Sequence, residues 1–201
     1  MKNSPLRVVS FAGKNALPFI DQVAQLRIEV FNEYPYLYVG DMSYERRYLS
    51  TYVQDAESLV VLAFDEGGTI RGASTGVPMA HEEADFRRPF EQKGYDTNEI
   101  FYFGESVIQK EFRGRGTGAV FFKEREAYAL RLGRCKWTCF CAVLRPDDHP
   151  LKPAGFKPLD AFWQRLGYAK VPDLVTTYSW REVGETTESP KSMQFWLKKI
   201  K

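Results

Sequence analysis

The sequence predicts an α/β fold of the α+β kind, a mixed and mostly antiparallel sheet flanked by helices, and three observations lead to it. Strand-length apolar runs alternate with longer stretches of helical spacing. Two β-rich runs, 58–64 and 69–77, flank Asp65-Glu66-Gly67-Gly68, which has the turn chemistry of a hairpin. A further apolar run, 100–109, passes through a glycine-rich turn into a helix, which implies a crossover. With 201 residues and 44% apolar composition, the chain reads as one domain over 1–201, large enough to bury a core without disulfides or metal.

The elements follow in order. Residues 6–11, Leu-Arg-Val-Val-Ser-Phe, form a first strand. Pro18 stands where a first helical turn tolerates it, and Ile20, Val23, Ala24, Val30 and Phe31 mark one face of an amphipathic helix reaching about Asn32. An aromatic loop, 33–41, leads to a second helix over 43–54. After the hairpin, 80–92 is charged and is helix or loop. The helix over 117–132 rests on propensity and the absence of proline, because 123–126 is a full turn of charge. A strand over 136–144, a short helix over 159–166 ended by Gly167, and strands over 175–183 and 193–200 complete the chain.

A net charge of +2 with interspersed signs lacks the one-signed field of a general nucleic-acid binder, so small molecules or proteins are the expected partners. No apolar run approaches the ~20 residues needed to span a bilayer, and the opening Met-Lys-Asn-Ser-Pro-Leu-Arg lacks a signal-peptide core. The expectation is a cytoplasmic protein that does not engage a membrane. Cys135, Cys139 and Cys141, odd in number and crowded near one strand, suit reduced thiols.

The most specific chemistry lies in residues 100–118. Gly114, Gly116 and Gly118 admit positive φ and, lacking side chains, let backbone N–H groups reach an anion. The helix starting near Gly116 adds unpaired N–H groups and the positive end of its dipole. Arg113 and Arg115 add full charges, so a pyrophosphate would be held well. A Walker loop is excluded because no Gly-Lys-Ser/Thr follows, and the Rossmann pattern fails at Phe121.

Arg113-x-x-Gly116-x-Gly118, directly after a strand, resembles the coenzyme A pyrophosphate loop of the GCN5-related N-acetyltransferase (GNAT) superfamily. Two more segments are similar to landmarks of that family in the right order. Gln-Leu-Arg-Ile-Glu-Val-Phe at 25–31 looks like its first helix, and Phe-Trp-Gln-Arg-Leu-Gly-Tyr at 162–168 looks like its late Leu-Tyr-x-x-x-Gly-Phe segment. The resemblance implies the acyl-CoA N-acyltransferase fold as the core over about 5–183, with 193–200 as an additional strand. It also implies acetyl-CoA as co-substrate, held by Arg113, Gly114, Arg115, Gly116, Thr117 and Gly118, and acetyl transfer by direct attack of a small molecule's primary amine. A peptide or protein amine is the alternative acceptor. A coenzyme A-binding regulatory module without turnover is the alternative from a different class.

The same resemblance implies roles for single residues. Glu105, midway along the strand before the loop, matches a general-base glutamate that usually acts through water; Glu33, Asp41 and Glu99 are weaker carboxylates for the task. The family's splayed central strands imply that N–H groups around Val107 and Ile108 bind the thioester carbonyl and the pantetheine arm. A late-helix tyrosine often serves the family as general acid, but here that position is Trp163, whose indole N–H is too weak an acid. Trp163 is therefore expected against the cofactor arm or in the core, with Tyr168, Tyr178 and Cys139 as candidate substitutes. Tyr34, Tyr36, Tyr38 and the proline-rich 144–160 stand where the family builds its acceptor pocket. Asp147, Asp148 and His149 are too nearly contiguous to surround one ion, so no metal is expected. Asp160 reads as a helix cap, and the aromatic strand around Trp196 as a possible homodimer interface.

Overall fold

A computed structural model describes residues 5–201; residues 1–4, where the segment read for a leader begins, lie outside the described residues. The chain runs β1 (Arg7–Ala12), α1 (Ile20–Phe31), α2 (Met42–Gln54), β2 (Leu59–Phe64), β3 (Ile70–Pro78), α3 (Ala84–Gln92), β4 (Ile100–Tyr102), β5 (Ser106–Ile108), α4 (Thr117–Arg131), β6 (Trp137–Val143), α5 (Asp160–Arg165), β7 (Ala169–Trp180) and β8 (Ser189–Lys199). Local chemistry sets several boundaries. Pro18 lies in a 3-10 segment, Gly13–Phe19, and the α-helical ladder begins only after it, because proline has no N–H to contribute. Asp41 caps α2 by accepting a hydrogen bond from Tyr44 N at 2.9 Å. Asp65 closes the β2–β3 hairpin through its own N–H to Thr69 O and its Oδ1 from Thr69 N, both at 2.9 Å.

The sheet order is β1-β2-β3-β4-β6-β8-β7, with β5 paired to β3 off that path. Every pairing is antiparallel except β4 with β6, the crossover made by the glycine turn and α4. β2 is buried along its whole length because both faces are covered. Val60, Leu62 and Phe64 join the core under α1 and α2, while Leu59, Val61 and Ala63 join Phe121, Phe122 and Ala129 of α4 on the opposite face.

The strand expected as an addition after residue 183 is β8, and it lies inside the sheet between β6 and β7. Met193, Phe195 and Leu197 pack into one core cluster and Trp196 into another, so both faces of β8 are covered. Trp196 is only 2% exposed and stacks near Phe140. It is core rather than an interface, which removes the dimer surface the sequence suggested.

The one strand expected over 100–109 is two. Phe103 N still bonds Cys139 O on β6 at 2.8 Å, but Gly104 N turns to Thr75 O at 3.2 Å and Glu105 O accepts from Thr75 N at 3.2 Å. β4 thus stays with β6 while β5 follows β3, and the two sides part into a V. The other edge of β5 meets no strand among the described residues. No helix among them is long and apolar enough to cross a membrane.

Candidate active site

The open edge of β5 has a definite hydrogen-bonding parity. Glu105 and Gln109 exchange backbone bonds with β3, through Thr75 N to Glu105 O and Gln109 N to Arg71 O. In an antiparallel pair such positions alternate, so Val107, opposite Ala73, also faces β3, whereas Ser106 and Ile108 turn their N–H and C=O groups into the V. Arg113 Nε confirms the parity by donating to Ile108 O at 2.8 Å. This corrects one expectation. Val107 is fully buried in the core under α1 and its amide belongs to the ladder; Ile108 keeps the predicted position on the cleft, and Ser106 joins it.

At the mouth of the V, Gly114 and Gly116 adopt φ of 76° and 83°, a region that costs other residues roughly 1–2 kcal/mol. The backbone N–H groups from Gly114 to Gly118 have no backbone partner among the described residues. Gly118 lies in the first turn of α4, where a Cβ would touch Phe162 at 3.4 Å. Five free donors and a helix start make a nest for an anion. Arg113, Gly114, Gly116 and Gly118 line the cleft, whereas Arg115 and Thr117 do not. Arg115 lies against Phe112 and bonds Glu111 O at 2.6 Å, and Thr117 is buried as the first helical residue. Arg113 is held in a two-pronged pair with Glu33, Nη1–Oε2 at 2.8 Å and Nη2–Oε1 at 3.0 Å.

One cleft of about 1460 Å³ joins this nest to the V and to the aromatic loop after α1. Glu105 lines this cleft and is only 6% exposed. Its Oε2 pairs with Arg27 Nη1 at 2.5 Å and accepts from Tyr48 Oη at 3.1 Å, and its Oε1 is buried without a hydrogen-bond partner. Arg27 also pairs with Glu45 at 2.5 Å. Burial alone would lower the Arg27 guanidinium, but Glu105, Tyr48 and Glu45 hold it well above its ordinary range. From Glu105 a chain of hydroxyls continues through Tyr48 to Tyr52 at 3.0 Å and on to Glu82 at 3.0 Å. Crowding by protein pushes the half-buried Glu82 carboxyl up to about 7, although the Tyr52 bond works against it.

Of the other carboxylates, Glu33 is at the nest and Asp41 caps α2, both on the cleft, while Glu99 pairs with Lys136 at 2.6 Å away from it. Trp163 lines the cleft half-buried, against Phe140 and Trp196 with ring centroids 5.0 and 5.1 Å away. Tyr178 reaches the cleft and shares its hydroxyl with Tyr44. Tyr168 and Cys139 are buried off it, Tyr168 bonded to Thr138 and Glu126. Tyr34, Tyr36 and Tyr38 all face the cleft. Tyr34 packs edge-on against Phe156 at 4.7 Å, and Arg145 Nε holds Pro35 O at 2.7 Å, so the two acceptor-side loops are tied together. Asp160 is the first residue of α5 rather than its cap; Leu159 occupies the cap position. Tyr48, Glu82 and Arg125 line the cleft without belonging to any motif, and Arg27 does so from within the 25–31 segment, where no role was assigned to it. Both arginines had a sequence signal, a charge set in an apolar stripe: Arg27 is four residues from Val23 and from Phe31, and Arg125 is four from Phe121 and from Ala129.

The nest and the open amides of β5 thus lie along one cleft, an arrangement that can take an anion at one end and a carbonyl further in. The sequence matches no protein-family model and no curated protein. Solved structures do match. Arabidopsis thaliana NAA60 in complex with acetyl-CoA superposes with a TM-score of 0.62 at 12% identity, covering 96% of this chain and 99% of that one. A GNAT superfamily phosphinothricin acetyltransferase from Sinorhizobium meliloti, in complex with AcCoA, gives 0.58 at 13% identity over 98% and 89%. A ribosomal-protein-alanine N-acetyltransferase from Brucella melitensis gives 0.58 at 17% over 96% and 99%. Identities this low speak for architecture, and the architecture is plain: this chain has the acyl-CoA N-acyltransferase fold of the GNAT superfamily.

Proposed function

We propose that the chain is an acetyl-CoA-dependent N-acetyltransferase whose acceptor is the primary amine of a small molecule. One observation carries the reading: a single cleft holds both the glycine nest and Glu105, separated by the open edge of β5. Acetyl-CoA supplies an activated acetyl group when bound. The N–H groups of Gly114 to Gly118 take its pyrophosphate, with Arg113 beside them, and Trp163 and Phe162 flank its arm. The N–H groups of Ser106 and Ile108 orient the reacting carbonyl from the V. Glu105 has one oxygen committed to Arg27 and Tyr48, which leaves Oε1 to accept the amine proton, directly or through water.

The acceptor end supports a small amine. It is rimmed by Tyr34, Tyr36 and Tyr38, by the Arg145 and Phe156 loop tied to them, and by Thr186 and Thr187 before β8. Acceptor-side loops tied to each other in this way suit a molecule that enters end-on better than a chain that passes through. The neighbours' names cover both kinds of acceptor, phosphinothricin and ribosomal-protein alanine.

Calorimetric titration with acetyl-CoA and with pantetheine analogues lacking the pyrophosphate is the test, followed by thiol release against an amine panel. Micromolar binding that needs the pyrophosphate, then turnover with small amines, is expected. Absence of binding would reduce the Arg113 to Gly118 segment to a turn, and turnover with peptides alone would move the acceptor to the other class.

A further inference from the structure

The α4 side of the V holds a charge that no carboxylate neutralises. Arg125 is 1% exposed. Its Nε donates to Phe121 O at 3.2 Å, Nη1 to Thr75 O at 3.1 Å and Glu105 O at 3.0 Å, and Nη2 to Ser106 Oγ at 2.8 Å. The rings of Phe103 and Phe122 cover it at 4.0 and 5.0 Å. All these acceptors are neutral. Burying a guanidinium without a carboxylate is costly, so a fold that retains one is spending stability on a local positive field. Burial pushes Arg125 down to about 10, which still leaves it a cation at neutral pH.

The charges around it do not cancel that field. Glu126, one residue along α4, is held by Lys198 at 2.8 Å and by Tyr168. Glu105 points to the opposite face of the sheet, where it and Glu45 share Arg27. That triad carries one more acid than base. Tyr52, the remaining titratable neighbour, is pushed well above its ordinary range, first by burial, and stays neutral. The V is therefore negative on the α1–α2 side, where a cationic amine would approach Glu105, and positive on the α4 side.

Ser106 connects Arg125 to the cleft. Its N–H faces the open edge, its side chain is exposed in the cleft, and its Oγ lone pair is taken by Arg125. The hydroxyl proton is then left to point at a group in the V. We propose that Arg125, acting through Ser106, holds the negative charge on the coenzyme A sulfur as the acetyl group leaves it, in place of the tyrosine donor whose position Trp163 occupies. This rests on the N-acetyltransferase reading. A carbon–nitrogen bond forms, the carbon–sulfur bond breaks with its electron pair staying on sulfur, and the nitrogen's proton goes to Glu105. Arg125 transfers no proton; it is a positioning residue.

The test is the ionisation of the coenzyme A thiol bound to the intact protein, followed by thiolate absorbance with the spectrum of the protein alone subtracted. The protein's own thiols stay silent: burial pushes Cys141 up to about 12, Cys139 well above its ordinary range, and Cys135 upward. The bound thiol is expected to ionise roughly one to two pH units below free coenzyme A in the same buffer, the size of a single charge acting across a partly dry gap. Ser106→Ala should return part of that shift and Arg125→Met nearly all, with Arg125→Lys retaining most. A bound thiol that titrates with the free one overturns the proposal, as does an unchanged shift in Ser106→Ala or Arg125→Met. Should Arg125→Met not fold, the wild-type and Ser106→Ala titrations decide. Absence of coenzyme A binding to the wild type would instead remove the acetyltransferase reading and this inference with it.

Discussion

Gly104 is the hinge on which β4 and β5 part, and replacing it with alanine should damage both fold and site. A Cβ at that position would lie 2.2 Å from Tyr52 Oη, 2.7 Å from Thr75 Oγ1 and 3.1 Å from Tyr52 Cζ. To reach an ordinary contact the hydroxyl must retreat by about 1 Å. Tyr52 is 2% exposed and bonded on both sides, to Tyr48 and to Glu82 at 3.0 Å each, so there is no slack to absorb the shift. Overpacking costs about 1–3 kcal/mol and each strained hydrogen bond about 1 kcal/mol, giving an expected loss of roughly 2–4 kcal/mol. Urea unfolding should show the midpoint falling with the slope unchanged. Gly67→Ala, whose Cβ meets only its own turn at 3.4 Å, is the matched control and should leave the midpoint in place. Because the clash is with a hydroxyl, Tyr52→Phe should recover part of the loss when combined with Gly104→Ala. A Gly104→Ala midpoint equal to wild type, or a double variant no better than the single, would refute the reasoning.

Glu105→Gln should keep coenzyme A affinity and lower kcat by about 10²- to 10⁴-fold, the usual contribution of a positioned base; an unaffected kcat would assign the proton to another group. Gly116→Ala must hold an alanine at φ 83°, and should lose about 1–2 kcal/mol of stability together with pyrophosphate-dependent affinity, both readable by thermal shift with and without coenzyme A. Glu33→Gln removes an exposed pair with Arg113, each side chain about 40% exposed. Unfolding stability should therefore change by less than about 1 kcal/mol, while calorimetry should show tighter, more salt-sensitive coenzyme A binding as Arg113 is released. Glu82, raised from 4.5 to about 7 by burial, ionises first in the unfolded chain. Its contribution is thus intact at low pH and is lost as pH rises from 4.5 to 7. Relative to wild type, Glu82→Gln should gain on the order of 2 kcal/mol across that window, and a flat difference in melting temperature would exclude it.

The elements with strong local signals were legible. The hairpin turn at 65–68, the alternating strands and the strand–glycine–helix crossover all appear where their residue types require them. The order of strands was not. Nothing local to 189–199 says that it pairs between β6 and β7: its alternation of Met193, Phe195 and Leu197 with Ser192, Gln194 and Lys198 reads as a strand with one solvated face and names no partner strand. The nest was visible because glycine and arginine spacing is a backbone property. The charge layout of the V was not, because Arg27 and Arg125 acquire their meaning only when β5 brings Glu105 between them. Val107 shows the finer limit: its assignment turns on a period of two, and one residue of register separates a ladder amide from a free one.

The place of β8 also governs when the molecule can exist. β6 and β7 do not pair with each other; β6 meets β4 on one edge, and its other edge and β7 are paired only through residues 189–199. A nascent chain that has already exposed the nest, the V and the acceptor loops therefore still carries two unpaired strand edges and an open apolar slot shaped for Trp196. Closure of this side of the sheet therefore waits on β8, and until β8 is seated the slot is open to pairing with another strand.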